Sequence, residues 1–463
     1  MALPEVRARE TFLEFSGARG HAVIVEFGKP WRFAFWSQAQ YAGAVQLSER
    51  VMFTPQWCEE NSPNDNECYE PMMDKQLRYA SIELLETGPA RVRVRWRYAL
   101  SDIQYRVFHG DSHAEELWTV YPDGRAVREI ALWPGTLSNH GGNTNFWQVH
   151  EWYLINAKGS TPTEVLRADA AFTMSDGHGR SFTLPWPLPT EAGEPLCKRY
   201  SEVADWENYI GTINLTVDPS PYAIICKSQR LFPFTPCCAC HGNHPYFNLF
   251  RGLDPESETG VHNTYVHWPI SKREDFIGWV SARGEVGTVA THTCFIDCNY
   301  AMRKSPRDVV ETPAPGTTWY VIVGALAPGD NGEGLDAVAV SYRNPGVVEL
   351  GTDDGEYEGF DYSARAHVIC LSASAADRAD LELRLLPVPA APVIDPVFSV
   401  SGWTAPVEHL ELSVDGTVIE ANGFRAQTSG HDLVVWLRGR YRTPAAIRLV
   451  VRGATAWNSN VSG

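Results

Sequence analysis

Residues 91–98 read Arg-Val-Arg-Val-Arg-Trp-Arg-Tyr, and an alternation of period two buries one side of a segment only if the segment is an extended strand. Coiled into a helix, the same residues would scatter around the whole circumference. The pattern puts Arg91, Arg93, Arg95 and Arg97 on one face and Val92, Val94, Trp96 and Tyr98 on the other, which makes the second face core. Strand-like runs recur at 21–27, 117–121, 222–226, 319–323, 337–340 and 367–371. The run 117–121 turns back on 125–130 through Tyr121-Pro122-Asp123-Gly124, whose Pro and Asp-Gly supply the dihedrals of a tight reversal. Helical periodicity is scarce, its best example being 305–310, with Ser305 as cap and Pro306 at the first turn.

The pattern predicts an all-β protein: a large antiparallel β-sandwich followed by a small C-terminal β-sandwich domain. The segment Leu386-Pro387-Val388-Pro389-Ala390-Ala391-Pro392 resists both helix and central strand, so the expected units are 1–386 and 394–463. In the second unit, the runs 410–414, 417–419, 433–437 and 446–451 read as strands, the first two joined at Asp415-Gly416.

At 463 residues the chain can bury a large core without a folding staple. Its 56 acidic and 39 basic residues leave a formal net charge of -17, which repels a nucleic-acid backbone. An anionic substrate therefore needs a local basic pocket. The N-terminal residues contain no apolar leader, and no apolar run approaches the roughly 18 residues of a membrane span. Ten cysteines are few for a disulfide scaffold and more than a reduced protein needs. A secreted or periplasmic protein whose leader is not in this chain is expected, with the cytoplasm left open. The 16 tryptophans, 18 tyrosines and 19 phenylalanines supply core and also flat platforms for sugar rings.

No glycine-rich phosphate loop, G-x-S-x-G elbow or H-E-x-x-H helix is present, which lowers the weight of phosphoryl transfer and ordinary hydrolase triads. His267, between Tyr265 and Trp268 and followed by Pro269, is the foremost candidate for proton chemistry near neutral pH. A strand histidine with purely structural partners is the competing reading. Residues 139–153 interleave amide, imidazole and indole groups, as suits a groove that binds hydroxyls and stacks rings, with Trp147 as a platform and His150 as an acid or base. The plainer alternative is a glycine-rich loop entering a strand with a hydrogen-bonded His150-Glu151 pair.

Two further segments, 73–79 and 97–106, offer the guanidinium and amide groups that clamp a carboxylate, plus tyrosines that can donate a proton. Arginines paired with surface carboxylates are the other reading. The cluster Cys237-Cys238-Ala239-Cys240-His241, with Cys294 and Cys298, leaves open a structural metal, disulfides or buried thiols, because its spacing fits no paired C-x-x-C site. No other cofactor is indicated. Cys58 and Cys68 flank a polar loop that reads as disulfide-closed, since its carboxylates lack calcium-loop spacing.

Taken in order, Met73-Asp74-Lys75-Gln76, Arg95-Trp96-Arg97-Tyr98-Ala99-Leu100, Tyr105-Arg106, Trp118-Thr119-Val120-Tyr121-Pro122-Asp123-Gly124, His267-Trp268-Pro269, Thr291-His292-Thr293 and 432–437 resemble segments of ulvan-lyase-type polysaccharide lyases. The resemblance covers most of the chain. It implies a supersandwich scaffold of the galactose-mutarotase-like kind acting on an acidic polysaccharide, and adds Lys75 and His292 to the substrate-binding candidates.

The expected reaction is β-elimination on a uronic-acid-containing glycan. Arg97, Arg106 and Gln76 would neutralise the carboxylate, His267 or His150 would take the C5 proton, and Tyr121 or Tyr105 would return one to the leaving oxygen. Two alternatives stand beside it: a glycoside hydrolase using carboxylates such as Glu116 and Glu151, and a sugar-binding protein without catalysis.

Overall fold

The computed structural model describes residues 5–62, 67–74, 76–102, 104–135, 146–157, 160, 162–186, 203, 205–234, 291–300, 312–330, 332, 334–351, 354–372, 380–430 and 432–451. Among them the chain is all-β, built from sheets that are antiparallel except for one strand pair. A ten-stranded sheet begins at the edge with Arg7–Phe15 and runs through Ala18–Glu26, Arg32–Trp36, Gly43–Gln46 and Val51–Thr54 to Phe146–Asn156 and Thr291–Tyr300. A nine-stranded sheet faces it, with Thr317–Leu326, Ala126–Trp133, His113–Val120, Val92–Ala99 and Ser81–Thr87 as one half. The 117–130 hairpin forms as expected: Val120 lies opposite Ala126 and Gly124 takes φ +83°.

In Val92–Ala99, Val92, Val94, Trp96 and Tyr98 are buried while Arg93, Arg95 and Arg97 point outward. Arg91 departs from the expected exposed face, being buried against Glu86 at 2.8 Å.

Between the sheets, glycines make room for indoles. A Cβ on Gly211 would stand 2.0 Å from Trp152 Cζ3, and one on Gly43 2.3 Å from Trp118 Cζ2. Neither tryptophan can retreat, since both are buried in the core. Gly211→Ala is therefore expected to cost about 1–3 kcal/mol through overpacking, read as a lower denaturation midpoint with an unchanged slope. A variant as stable as the parent would show that the indole has room to move.

Residues 337–340, expected as a strand, belong instead to the helix Leu335–Arg343. The Ala-Val-Ala-Val alternation is misleading because burial there falls on Leu335, Val338, Ala339 and Tyr342, the i, i+3, i+4, i+7 positions of a helical stripe. That stripe packs on Ile210, Tyr222, Ile224 and Ile322, on the outer side of the nine-stranded sheet.

The boundary also differs from expectation. Val347–Leu350 pairs with Asp380–Leu386, which pairs with Ala445–Val451, so strands on both sides of 386–394 share one five-stranded sheet. The second sandwich therefore starts near 347, and the proline-rich segment is a connection inside it. Its other five-stranded sheet contains the parallel pair Ala366–Leu371 and Val397–Ser401. The proline signal marked a chain that must leave a sheet, which happens within domains as well as between them.

The two sandwiches meet at buried polar contacts. Gln427 Oε1 accepts from the Ala90 and Arg91 amides at 2.9 and 2.8 Å, and Arg365 Nη2 donates to Asp123 at 2.7 Å.

Cys58 is a free, buried thiol. The ribbon Glu59–Ser62 and Glu67–Tyr69 sets Cys68 opposite Asn61, three residues beyond Cys58. That offset is about 10 Å along a strand, too far for a disulfide. No helix among the described residues is long and apolar enough to cross a membrane.

Candidate functional site

Two buried aspartates build the most chemically equipped surface in the described structure. Asp74 Oδ1 accepts from the Arg78 amide at 2.8 Å, and its Oδ2 from the amides of Tyr79 and Ala80 at 2.7 and 3.0 Å. Asp102 Oδ1 accepts from the amides of Gln104 and Arg106 at 2.8 and 2.9 Å, and its Oδ2 from Arg106 Nε at 2.5 Å. Short aspartate side chains favour such local bonds, which fold a loop around a carboxylate instead of extending the strand. Leu77 and Tyr105 are forced to φ +53° and +64°, a region that non-glycine residues rarely adopt.

The loops are stapled together. Tyr79 Oη donates to the Tyr105 carbonyl at 2.8 Å, and the Arg78 guanidinium lies 3.8 Å from the Tyr105 ring centroid. Gln76 Oε1 holds the same guanidinium through Nε and Nη2 at 3.0 and 2.8 Å. The result is a rim at one end of the nine-stranded sheet carrying Gln76, Arg78, Tyr79, Tyr105 and Arg106. Partial burial raises the Tyr105 phenol above its ordinary value, opposed by Arg78 and assisted by Asp74, so it stands protonated at neutral pH.

Below the rim the polar groups continue inward, sealed from solvent. Trp57 Nε1 donates to Glu59 and Glu70 at 3.0 and 3.1 Å. Deeper, Arg128 Nε donates to Glu116 at 2.7 Å, and Arg128 Nη1 meets the Pro55 carbonyl and His150 Nδ1, each at 2.9 Å. Tyr98 Oη donates to Glu116 at 3.0 Å and accepts from the Cys58 amide at 2.7 Å. The Trp152 indole N–H meets His150 Nε2. Burial first, and Arg128 second, hold His150 well below the ordinary imidazole value. Donors face both of its ring nitrogens, so an imidazolium with two N–H groups would be the worst-matched state.

Of the residues expected from sequence, Gln76, Tyr105 and Arg106 come together at the rim. Lys75 and His267 lie outside the described residues, as does the 237–241 cysteine cluster. His292 falls in the strand Thr291–Tyr300 opposite Ile155, with its side chain outside the description. Three expectations are corrected, and a fourth residue, Arg97, is found away from the rim. His150 is fully buried in the Arg128 network, where a polymer cannot meet it. Trp147 is core, packed edge-on to Phe108, because its strand turns that ring inward. Tyr121 is sealed at the sandwich junction, bonded to the Ala364 carbonyl with the Arg365 guanidinium 4.7 Å from its ring centroid. Arg97 is on the outer face of the sheet, paired with Glu115, and not in the rim loops.

The sequence placed Arg78 and Tyr79 in a candidate clamp segment without a role of their own, and gave Asp74 and Asp102 no functional part. A signal existed, for Asp-x-x-x-Arg occurs at 74–78 and 102–106 and recurs at 176–180; in all three the arginine amide donates to the aspartate, and at 102–106 and 176–180 its Nε does too.

Two buried histidines also set a pH dependence. Burial pushes His367 down to about 4 and His150 well below its ordinary value, whereas in the unfolded chain each titrates near 6.5. The unfolded state therefore binds protons first as pH falls, so the stability is fully present above about pH 6.5 and declines toward about pH 4, where His367 protonates in the fold. Denaturation midpoints taken from about pH 7 to about pH 4.5 should fall steadily. A flat profile would contradict neutral burial of these rings.

No family model matches the chain, and no curated protein matches its sequence. Among solved structures, a galactose mutarotase-like protein from Clostridium acetobutylicum is 7% identical with a TM-score of 0.28, covering 69% of this chain and 98% of that one. Galactose 1-epimerase from Lactobacillus acidophilus NCFM is 8% identical with a TM-score of 0.27 and the same coverage, 69% and 98%. Similarity at that level says nothing of this chain's chemistry.

Proposed function

We propose that this chain is a carbohydrate-active enzyme of the polysaccharide lyase type, cleaving a uronic-acid-containing polysaccharide by β-elimination at the Arg78–Tyr105–Arg106 rim. The observation that carries the reading is the rim itself: two guanidinium groups and a protonated phenol, positioned by buried aspartates on a chain of net charge -17. Two exposed guanidinium groups fixed side by side in the rim loops are what an anionic substrate requires on so acidic a protein.

In the proposed reaction Arg78 and Arg106 receive the uronate carboxylate and stabilise the enolate-like charge that develops as the C5 proton leaves. The electron pair of the C5–H bond becomes the C4=C5 double bond, the C4–O bond breaks, and Tyr105 Oη supplies the proton that the leaving oxygen takes. The proton acceptor is assigned to His267, on sequence alone. The hydrolase alternative needs Glu116 and Glu151 exposed around a scissile bond, and both are buried.

The test is incubation of the purified chain with a panel of acidic polysaccharides, ulvan included. Growth of the ultraviolet absorbance of unsaturated uronate is expected. New reducing ends without that absorbance would replace elimination by hydrolysis, and binding without either product would leave a sugar-binding protein.

A further inference from the structure

The outer face of the nine-stranded sheet presents ordered rows of side chains. Register places Glu83, Arg95, Leu117, Glu129 and Tyr320 side by side on five neighbouring strands. Two residues nearer the rim, the next row is Ser81, Arg97, Glu115, Ala131 and Thr318. Beyond it His113 stacks on Trp133, centroids 4.9 Å apart and planes 6° from parallel. Burial alternates along these strands, with His113, Glu115, Leu117, Glu129, Ala131 and Trp133 at least partly exposed and most intervening residues buried.

The face has two ends. At one, the loop before Ser81–Thr87 and the loop after Val92–Ala99 are the rim loops, on the same side as the His113–Trp133 stack. At the other, the second sandwich brings Tyr362 to 6.2 Å from Tyr320 between ring centroids. Trp133 and Glu129 are four residues apart on one strand, about 13 Å. Aromatic rings thus stand at both ends of a strip on Ala126–Trp133 and Thr317–Leu326, with Arg95 and Arg97 flanking it two strands from Trp133.

We propose that this face is a track on which an acidic polysaccharide chain lies, its sugar rings against Trp133 and Tyr320 and its carboxylates on Arg95 and Arg97, leading to the rim at Arg78 and Arg106. The identity of the polymer rests on the lyase reading above; the track does not depend on cleavage. The arginines of this face have surface carboxylates as partners that an acidic chain can replace. Arg93, Arg95 and Arg97 repeat every two residues along one strand, about 7 Å apart, with Arg95 paired to Glu83 and Arg97 to Glu115. Arg97 is 54% exposed and pairs with Glu115 on the surface, so a substrate carboxylate can replace that partner with little loss. Burial, with Asp361 and Glu115 adding to it, holds the Glu129 carboxyl above its ordinary value against Ser363 and Arg93. The flat Trp133 face, backed by His113, is suited to the apolar side of a pyranose.

The test uses labelled ulvan in affinity electrophoresis with the full chain, at low and at high salt. Arg97→Glu, Trp133→Ala and Arg95→Gln should each weaken binding of the long polymer by about tenfold, the arginine effects shrinking at high salt. Arg97→Glu changes an exposed side chain and so guards against loss of fold at Trp133; thermal melting checks both. Unchanged affinity in Arg97→Glu and Trp133→Ala, with loss in Arg78→Ala, would overturn the track and leave the rim standing. A parent chain that holds no ulvan at low salt would overturn it too. Binding that depends on the track, with no unsaturated ends released, would support the track and remove the lyase reading.

Discussion

Arg78→Ala is expected to lower kcat/KM on an acidic polysaccharide by about a hundredfold or more, as removal of one preorganised donor to a developing anion does elsewhere. The same variant should lose far less on the carboxyl-reduced polymer, which has no anion to clamp. Arg78 donates through Nε and Nη2 to Gln76 and stacks on Tyr105, so its guanidinium is held in place before substrate arrives. Lysine at this position keeps the charge but loses the planar fork and the stacking, and should recover only part of the rate. Equal losses on the native and reduced polymers would show that Arg78 supports the loop and not the carboxylate. Because Asp74 bonds to the backbone amide at 78 and not to the side chain, the loop itself should survive the substitution.

The second large effect concerns the interior. Arg128 and Glu116 are both fully buried and bonded twice, at 2.7 and 2.5 Å. Arg128→Met should cost about 3–5 kcal/mol, because Glu116 would keep its charge in a low-dielectric core with only Tyr98 and Trp118 as donors. The Pro55 carbonyl and His150 Nδ1 would lose their donor as well. Adding Glu116→Gln to Arg128→Met removes the stranded charge and should restore part of the loss. Urea denaturation of the parent and the two variants reads this directly; an Arg128→Met variant within about 1 kcal/mol of the parent would mean that the pair is structurally dispensable.

What was legible in the sequence depended on the distance over which it acts. The 91–98 alternation set a strand with its inner face correctly assigned, and Tyr-Pro-Asp-Gly set a hairpin that the structure forms. Both are short-range consequences of pleat and turn geometry. The 337–340 segment failed because four alternating small residues fit either period, and the stripe that decides the matter needs Leu335 and Tyr342 as well. Among candidate site residues, Gln76, Tyr105 and Arg106 came together since their loops adjoin neighbouring strands. Tyr121 and His150 were placed elsewhere because a strand projects side chains to two faces, and only packing decides which face is sealed. Tyr121 is five residues from Glu116, about 17 Å along the strand, and ends under the second sandwich.

By itself the sequence determined the class of the chain, its strand periodicity, the Asp-x-x-x-Arg spacing of both rim loops and an acidic balance that any anionic ligand must overcome locally. These are properties of consecutive residues, so chain order contains them. Tertiary structure alone decided that the second sandwich begins near 347, that His150 and Glu116 belong to the core, and that Arg78 comes to rest on Tyr105. Each of these joins segments far apart in the chain, and their meeting follows from how two large sheets bury their inner faces against one another.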